Sequence, residues 1–181
     1  MAVIIIVGVM FAFALPGFET LSLGSRRTNA IADVSGMISR ARSEAASRNA
    51  NVVLCVSTDQ STCSGAATWE SGWLMFVDNG AGGGSANNKT RDGAEPLIAI
   101  GQPTAANTTL RAFNFPTANA VMVLPTGMME QSGTFVYCDK KGIAELRAIN
   151  VSVAGQVRIA NDVNNTGKVE DSNNADINSC T

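Results

Sequence analysis

MAVIIIVGVMFAFAL, residues 1–15, decides how the rest of this chain is read, because it is an uncharged apolar run that stops at Pro16-Gly17. Its bulky members Ile4, Ile5, Ile6, Val7, Phe11, Phe13 and Leu15, with Gly8 as the one non-apolar residue, suit a membrane or a buried bundle. A transmembrane helix needs ~20 apolar residues, and runs of ~10–14 are more often buried helices or signal h-regions. A secretory signal peptide would place a basic region before the run and a small-residue cleavage site after it, and neither is present. The expectation is therefore an anchor, residues 1–15, whose upstream residues precede Met1. Pro16 lacks a backbone N–H and disfavours helical geometry at Leu15, so a helix break or kink is expected there.

Downstream of the proline the helical pattern resumes. Ile31, Val34, Ile38, Ala41 and Ala45 recur at spacings of three and four and draw one apolar stripe. Arg40, Glu44 and Arg48 lie four apart on the other side, where they can pair as ions. One long helix over residues 1–50 follows, apolar all round at its start and amphipathic afterwards.

After Asn49 the character changes to short runs rich in β-branched and aromatic residues, each bounded by Gly, Pro, Asn or Thr. Strands are expected at Val52 to Ser57, Gly72 to Val77, Leu97 to Ile100, Thr109 to Phe113, Ala120 to Leu124, Thr134 to Cys138, Ala144 to Val153 and Gln156 to Ile159. The last two read as a hairpin turning at Ala154-Gly155. Residues 51–181 therefore form a mainly antiparallel β-rich domain, and the chain as a whole is α+β. Asn79 to Gly93 has no apolar residue larger than Ala and reads as a mobile loop. Asn161 to Thr181 is rich in Asn and Asp and would be disordered unless Cys180 ties it back.

Composition excludes several function classes. A net charge of −2 with 15% charged residues argues against a protein that lives by gripping nucleic acid. With no histidine the commonest general base and metal ligand is missing, and no Ser/His/Asp or Cys/His nucleophile set can be assembled. Gly80 to Gly84 lacks the G-K-[ST] ending of a phosphate cradle, and no S-x-x-K motif appears. Asp78-Asn79, Asp162, Asp171 and Asp176 do not follow the EF-hand pattern and read as solvated loop polarity. No catalytic residue, metal, cofactor or small-molecule substrate is expected. The arginines at 26, 27, 40, 42 and 48 read as a solvated helix face, with no interleaved aromatic residue to stack bases.

The four cysteines, Cys55, Cys63, Cys138 and Cys180, all lie beyond the anchor, an even number suited to the periplasm or cell exterior. Three pairings are open. Pairing Cys55 with Cys63 would close a local loop over VSTDQST, and pairing Cys138 with Cys180 would clamp the tail. A zinc site of all four is the competing reading, against which stands the lack of any C-x-x-C pair.

Taken together, Arg42-Ser43-Glu44-Ala45 with Arg48-Asn49, then Val53-Leu54-Cys55, carry a resemblance. It continues through Cys63, Trp69, Gly72-Trp73, Phe76 and Asp78, then Leu124-Pro125-Thr126-Gly127 and Gly155-Gln156-Val157-Arg158. In this order the chain resembles the GspH/FimT family of minor type IV pilins and pseudopilins over nearly its whole length. The resemblance implies a pilin-like fold, a long N-terminal helix packed on an antiparallel sheet domain. It implies a structural subunit rather than an enzyme, held by one helix in the inner membrane with its globular domain in the periplasm, and extracellular once in a filament. Ile4, Ile5, Ile6, Val7, Phe11, Phe13 and Leu15 would then lie first in lipid and later against the helices of other pilin or pseudopilin subunits. Pro16 falls on the family's helix-breaking proline, which puts Met1 a few residues inside the mature N-terminus. Trp69 and Trp73 read as core packing. The first functional expectation is a minor pilin that helps prime or build a pilus, and the alternative is the minor pseudopilin of a type II secretion system. Some FimT-like pilins take up DNA through a C-terminal G-R-x-R motif. Here Gln156 stands at its first arginine and the tail is acidic, so Arg158 and Lys168 promise weak, salt-sensitive DNA contact at most.

Overall fold

In the computed structural model, the backbone is described from Ala2 to Thr181 and side chains from Ser22 onward. One helix, α1 (Ala2–Arg48), precedes eight strands: β1 (Val52–Val56), β2 (Trp73–Val77), β3 (Leu97–Gly101), β4 (Thr109–Phe113), β5 (Ala120–Val123), β6 (Gly133–Cys138), β7 (Arg147–Val151) and β8 (Val157–Ile159). The side chains of residues 1–15 assigned to the anchor lie outside the described residues; the helix expected to break or kink at Pro16 does not stop there, since α1 runs through it from Ala2 to Arg48. Among the described residues no helix is long and apolar enough to cross a membrane.

The eight strands form two antiparallel four-stranded sheets rather than one, ordered β3-β2-β1-β5 and β4-β6-β7-β8. All eight fall where the sequence places them. β7 is shorter than expected, because Gly142–Glu145 winds into a 3-10 turn after Gly142 adopts a φ of +61°. The β7–β8 turn is the one expected: Gly155 N–H donates to Ser152 O at 2.8 Å, and Ser152 N–H to Gln156 O at 3.0 Å.

Strand side chains alternate between two cores, as the pleat requires. Val52, Leu54, Val56, Met75, Val121 and Val123 of the first sheet meet Leu110, Ala112, Phe135, Tyr137, Ile149 and Val151 of the second in one cluster. The helix completes it with Ile31, Val34, Met37, Ile38, Ala41 and Ala45. The opposite faces carry two smaller cores, Val53, Cys55, Leu74, Phe76, Ala120 and Met122 on one sheet, and Val136, Cys138, Leu146 and Ala148 on the other. Strands β1, β2, β5 and β6 are thus buried on both faces, which is why they read as continuous apolar runs.

The outer faces are covered by the two segments that read as loose. Residues 79–93 are stitched down rather than free. The buried carboxylate of Asp78 accepts from the N–H groups of Asn87 and Lys89, and buried Glu95 accepts from Gly80 N–H at 2.8 Å and Asp92 N–H at 3.2 Å. Arg91 then reaches over the first sheet, its N–H to Cys63 Sγ at 3.4 Å and its Nη1 to Ser61 O at 2.8 Å. Composition hid this because the fixing groups, two carboxylates, flank the loop. The tail packs Ile177 and Val169 on the second sheet, and buried Glu170 accepts from Val163 N–H and Asn164 N–H at 2.8 and 3.0 Å. Two disulfides lie beneath these covers: Cys55–Cys63, with Cα atoms 5.6 Å apart, closes its own short loop on the first sheet, and Cys138–Cys180, at 5.9 Å, ties the tail to β6.

Candidate functional site: the seam that fastens the helix

The seam between α1 and the sheets holds the buried arginine Arg27 and joins three of the motifs quoted above, so it is the site to build. It has an apolar middle and two polar ends. The middle is the stripe from Ile31 to Ala45, laid across the inner faces of both sheets. Trp69 lies beneath it, fully buried, edge-on to Phe135 at 5.2 Å between ring centres, with its indole N–H donating to Ala118 O at 2.7 Å. Phe115 packs against Phe135 as well, with ring centres 5.2 Å apart and planes tilted by 52°. Trp69 is thus a core side chain, and Trp73, half-buried, packs against that core.

At the lower end Arg27, 6% exposed, forms a two-pronged pair with Asp139: Nε donates to Oδ2 at 2.7 Å and Nη2 to Oδ1 at 3.1 Å. Its third prong, Nη1, donates to Glu145 Oε2 at 2.7 Å. Burial pushes the Asp139 carboxyl up. The Arg27 hydrogen bonds, the Lys141 N–H at 2.9 Å and the Arg27 charge more than offset this and leave it below the usual carboxylate range. The hydrogen bond to Asp139 and both carboxylate charges hold the Arg27 guanidinium protonated against the same desolvation. Asp139 follows Cys138 directly, so the clamp on the helix and the clamp on the tail meet at the end of β6.

At the upper end Arg42 reaches two turns at once, with Nε donating to Gly127 O at 2.8 Å and Nη1 to Gly155 O at 2.9 Å. This joins three of the quoted motifs, since Arg42 opens RSEA, Gly127 closes LPTG and Gly155 opens GQVR. Gly155 has a φ of +73°, and a Cβ there would lie 2.3 Å from Arg42 Nε, so both conformation and space demand glycine. The helix stops just above, with Asn49 at a φ of +49°, Asn49 N–H on Ala46 O and Ala50 N–H on Ala45 O, a Schellman cap built on asparagine.

The arginines are therefore not one solvated face. Arg27 is buried, Arg42 is spent on turns, and Arg40 reaches Ile98 O at 3.2 Å in place of Glu44, which pairs with Arg48 at 2.7 Å. Sequence reasoning missed Arg27 and Asp139, yet a signal existed. Stepping the apolar stripe back by four from Ile31 lands on Arg27, and a charge on a core stripe implies a buried partner. Arg158 and Lys168, the residues read as weak DNA contacts, are exposed and donate to amide oxygens of Gln156 at 3.2 Å and Asn178 at 2.5 Å.

A family model described as GspH, type II transport protein, matches residues 30–156, from the middle of the seam to the β7–β8 turn. The crystal structure of the type IV minor pilin FimU of Pseudomonas aeruginosa is similar with a TM-score of 0.58 at 18% identity, over 86% of this chain and 95% of that one. A second crystal form of FimU gives 0.51 at 17%, over 85% and 99%. The minor pseudopilin EpsH from the type 2 secretion system of Vibrio cholerae gives 0.48 at 9%, over 74% and 95%. No curated protein matches the chain in sequence. The match over more than half the chain, on a fold shared with a minor pilin, means that this chain belongs to the GspH family, that of minor type IV pilins and GspH-like minor pseudopilins.

Proposed function

We propose that this chain is a minor type IV pilin that helps prime or build a pilus filament at the inner membrane. It would act by assembly and not by catalysis. Residues 1–15 would lie in the inner-membrane bilayer as a single-pass anchor with the globular domain in the periplasm. They would then move into a filament core against the helices of other subunits, which carries the domain outside the cell. The observation that carries this reading is the division of labour along α1. The helix runs from Ala2 to Arg48, its stripe from Ile31 to Ala45 packs on both sheets, and its first fifteen residues carry no charge. An uncharged helix can exchange lipid for packed helices without stranding an ionised group in either. Two disulfides fit an oxidising compartment. No cofactor is required, and DNA is not the partner, since the cations read as DNA contacts are two and scattered among acids.

The test is deletion of the gene in its source organism, with restoration by the full chain. Loss of surface pili with protein secretion intact supports the pilin reading. Loss of secretion with pili intact would replace it by the alternative, the minor pseudopilin of a type II secretion system, which the description of the matching family favours. Loss of neither would overturn both.

A further inference from the structure

The formal charge of −2 is unevenly shared along the molecule. Residues 26–27 and 139–147 hold five of its 13 cations and two of its 15 acids, a local charge of +3 that leaves the rest of the chain at −5. The two stretches lie far apart in sequence, and the Arg27–Asp139 pair, 112 residues in separation, brings them together. β6 ends at Cys138 and β7 starts at Arg147, so residues 139–146 turn the second sheet at the end where Arg27 reaches it. That is the end of the domain nearest residues 1–15, because α1 runs unbroken from Ala2.

Arg27, Asp139 and Glu145 are occupied with one another, and the other four cations stand around them. Arg26, Lys140, Lys141 and Arg147 are all exposed. Arg147 lies opposite Tyr137 across β6 and β7, and Arg26 lines the same cavity as Tyr137, so both flank the clamp on the helix side of the sheet. Acids nearby do not cancel them. The C-terminal carboxylate, carried to this end by the Cys138–Cys180 bridge, removes one charge, while Lys168 and Asp176 further up the tail offset each other. Asp33 lies about 10 Å further along α1, away from residues 1–15, and counting it too still leaves this end positive. Among the cations the 3-10 turn presents Ile143, 45% exposed, beside exposed Ala144. Cations around an apolar tip suit a bilayer surface, where attraction to anionic lipid and burial of apolar area add together.

We infer that this end of the domain docks on the anionic headgroups of the bilayer that holds residues 1–15, with Arg26, Lys140, Lys141 and Arg147 against lipid phosphates and Ile143 between them. At ~1.5 Å of rise per residue, Arg26 stands about 16 Å along α1 from Leu15. The headgroup region occupies ~5–8 Å of that, and the remainder is close to the Debye length of ~8 Å before the reach of the side chains is added. The attraction therefore acts across the gap in ordinary salt and is screened in high salt. This rests on the anchor reading above, because the bilayer is the occupant. It adds a second membrane contact, in the globular domain, which the subunit gives up when it leaves the bilayer for a filament.

The test places the full chain in phospholipid nanodiscs that include a lipid with a headgroup gadolinium chelate, and reads the paramagnetic broadening of the amides of residues 140–145. In discs with about 30% phosphatidylglycerol the broadening should be at least about threefold larger than in phosphatidylcholine discs, and about 0.5 M salt should abolish the difference. Lys140→Gln with Lys141→Gln should remove most of it and Arg147→Gln part of it, with the melting temperature of the chain in neutral detergent unchanged. Equal broadening in both discs, from a chain that enters both, overturns this inference and leaves the anchor reading standing. Broadening that the glutamine variants leave unchanged also overturns it, by placing the contact elsewhere. A chain that enters neither disc overturns both readings. A chain that binds the anionic discs alone and is released by salt upholds the headgroup contact and overturns the anchor. Shifts of these amides with duplex DNA in detergent, with equal broadening in the two discs, overturn the inference by assigning the patch to nucleic acid.

Discussion

Arg27 is where one side chain decides how the helix is held. Its guanidinium is buried against Asp139, whose side chain is 2% exposed, while the Glu145 side chain is 42% exposed. Removing one member of a buried pair leaves the other charge uncompensated, so Arg27→Met should destabilise the chain by about 3–5 kcal/mol. Glu145→Gln should cost under about 1 kcal/mol, because water already screens that pair. Urea unfolding of the two variants checks the ratio, and equal losses would show that the clamp is not centred on Asp139. The same pair sets a pH dependence. The Asp139 carboxyl is held below its ordinary value when folded, so its contribution is complete above about pH 4, the ordinary carboxylate range, and is lost as the pH falls below it through the folded value. Unfolding free energy should therefore fall below about pH 4, and Asp139→Asn should remove part of that slope. A slope unchanged in the variant would assign the acid sensitivity elsewhere.

Among the elements, the two disulfides close loops of very different length. Cys138 and Cys180 are 42 residues apart and Cys55 and Cys63 only 8, so in the chain-entropy model the first bridge contributes about 4 kcal/mol and the second about 2.5 kcal/mol. Replacing both cysteines of the long bridge with alanine should free the tail and expose the core around Val136 and Ala148, whereas the same change at the short bridge should leave segment 79–93 held by Asp78 and Glu95. Amide exchange across both segments distinguishes these outcomes. The contrast also shows what the sequence could carry. Strand positions were legible because β-branched runs bounded by Gly, Pro and Asn are local signals, and the observed pairing of the cysteines was the one of three open to the sequence that gives each bridge a structural purpose. The fastening of residues 79–93 was not legible, because it depends on Asp78 and Glu95 accepting N–H groups up to 15 residues away. The division into two sheets was hidden for a similar reason: β4 pairs with β6 and β1 with β5, across intervening strands that no local pattern links. Arg27 was half legible, since the stripe gave its place and nothing local gave Asp139, 112 residues on.

For the whole molecule, the helix is both a lever and a layer of the core, and truncation separates these roles. Among the described residues, the apolar α1 side chains that are buried are Leu23, Ile31, Val34, Met37, Ile38, Ala41 and Ala45. A chain beginning at Ser22 keeps every one of them together with Arg27. It should unfold cooperatively, since it retains the whole stripe from Ile31 to Ala45 and the Arg27–Asp139 pair. A chain beginning at Ile38 loses Leu23, Ile31, Val34 and Met37, each worth about 1.5–3 kcal/mol when fully buried. That sum of about 6–12 kcal/mol is comparable to the whole stability of a typical domain, about 5–15 kcal/mol. It also strips Arg27 from buried Asp139 and uncovers Tyr137 and Leu110 on the inner faces. The shorter chain should therefore lose its near-ultraviolet circular dichroism and aggregate, while the longer one stays monodisperse in sedimentation. Cooperative unfolding of the chain from Ile38 would mean that the sheets hold their own core, and that the first half of the seam serves the helix rather than the domain.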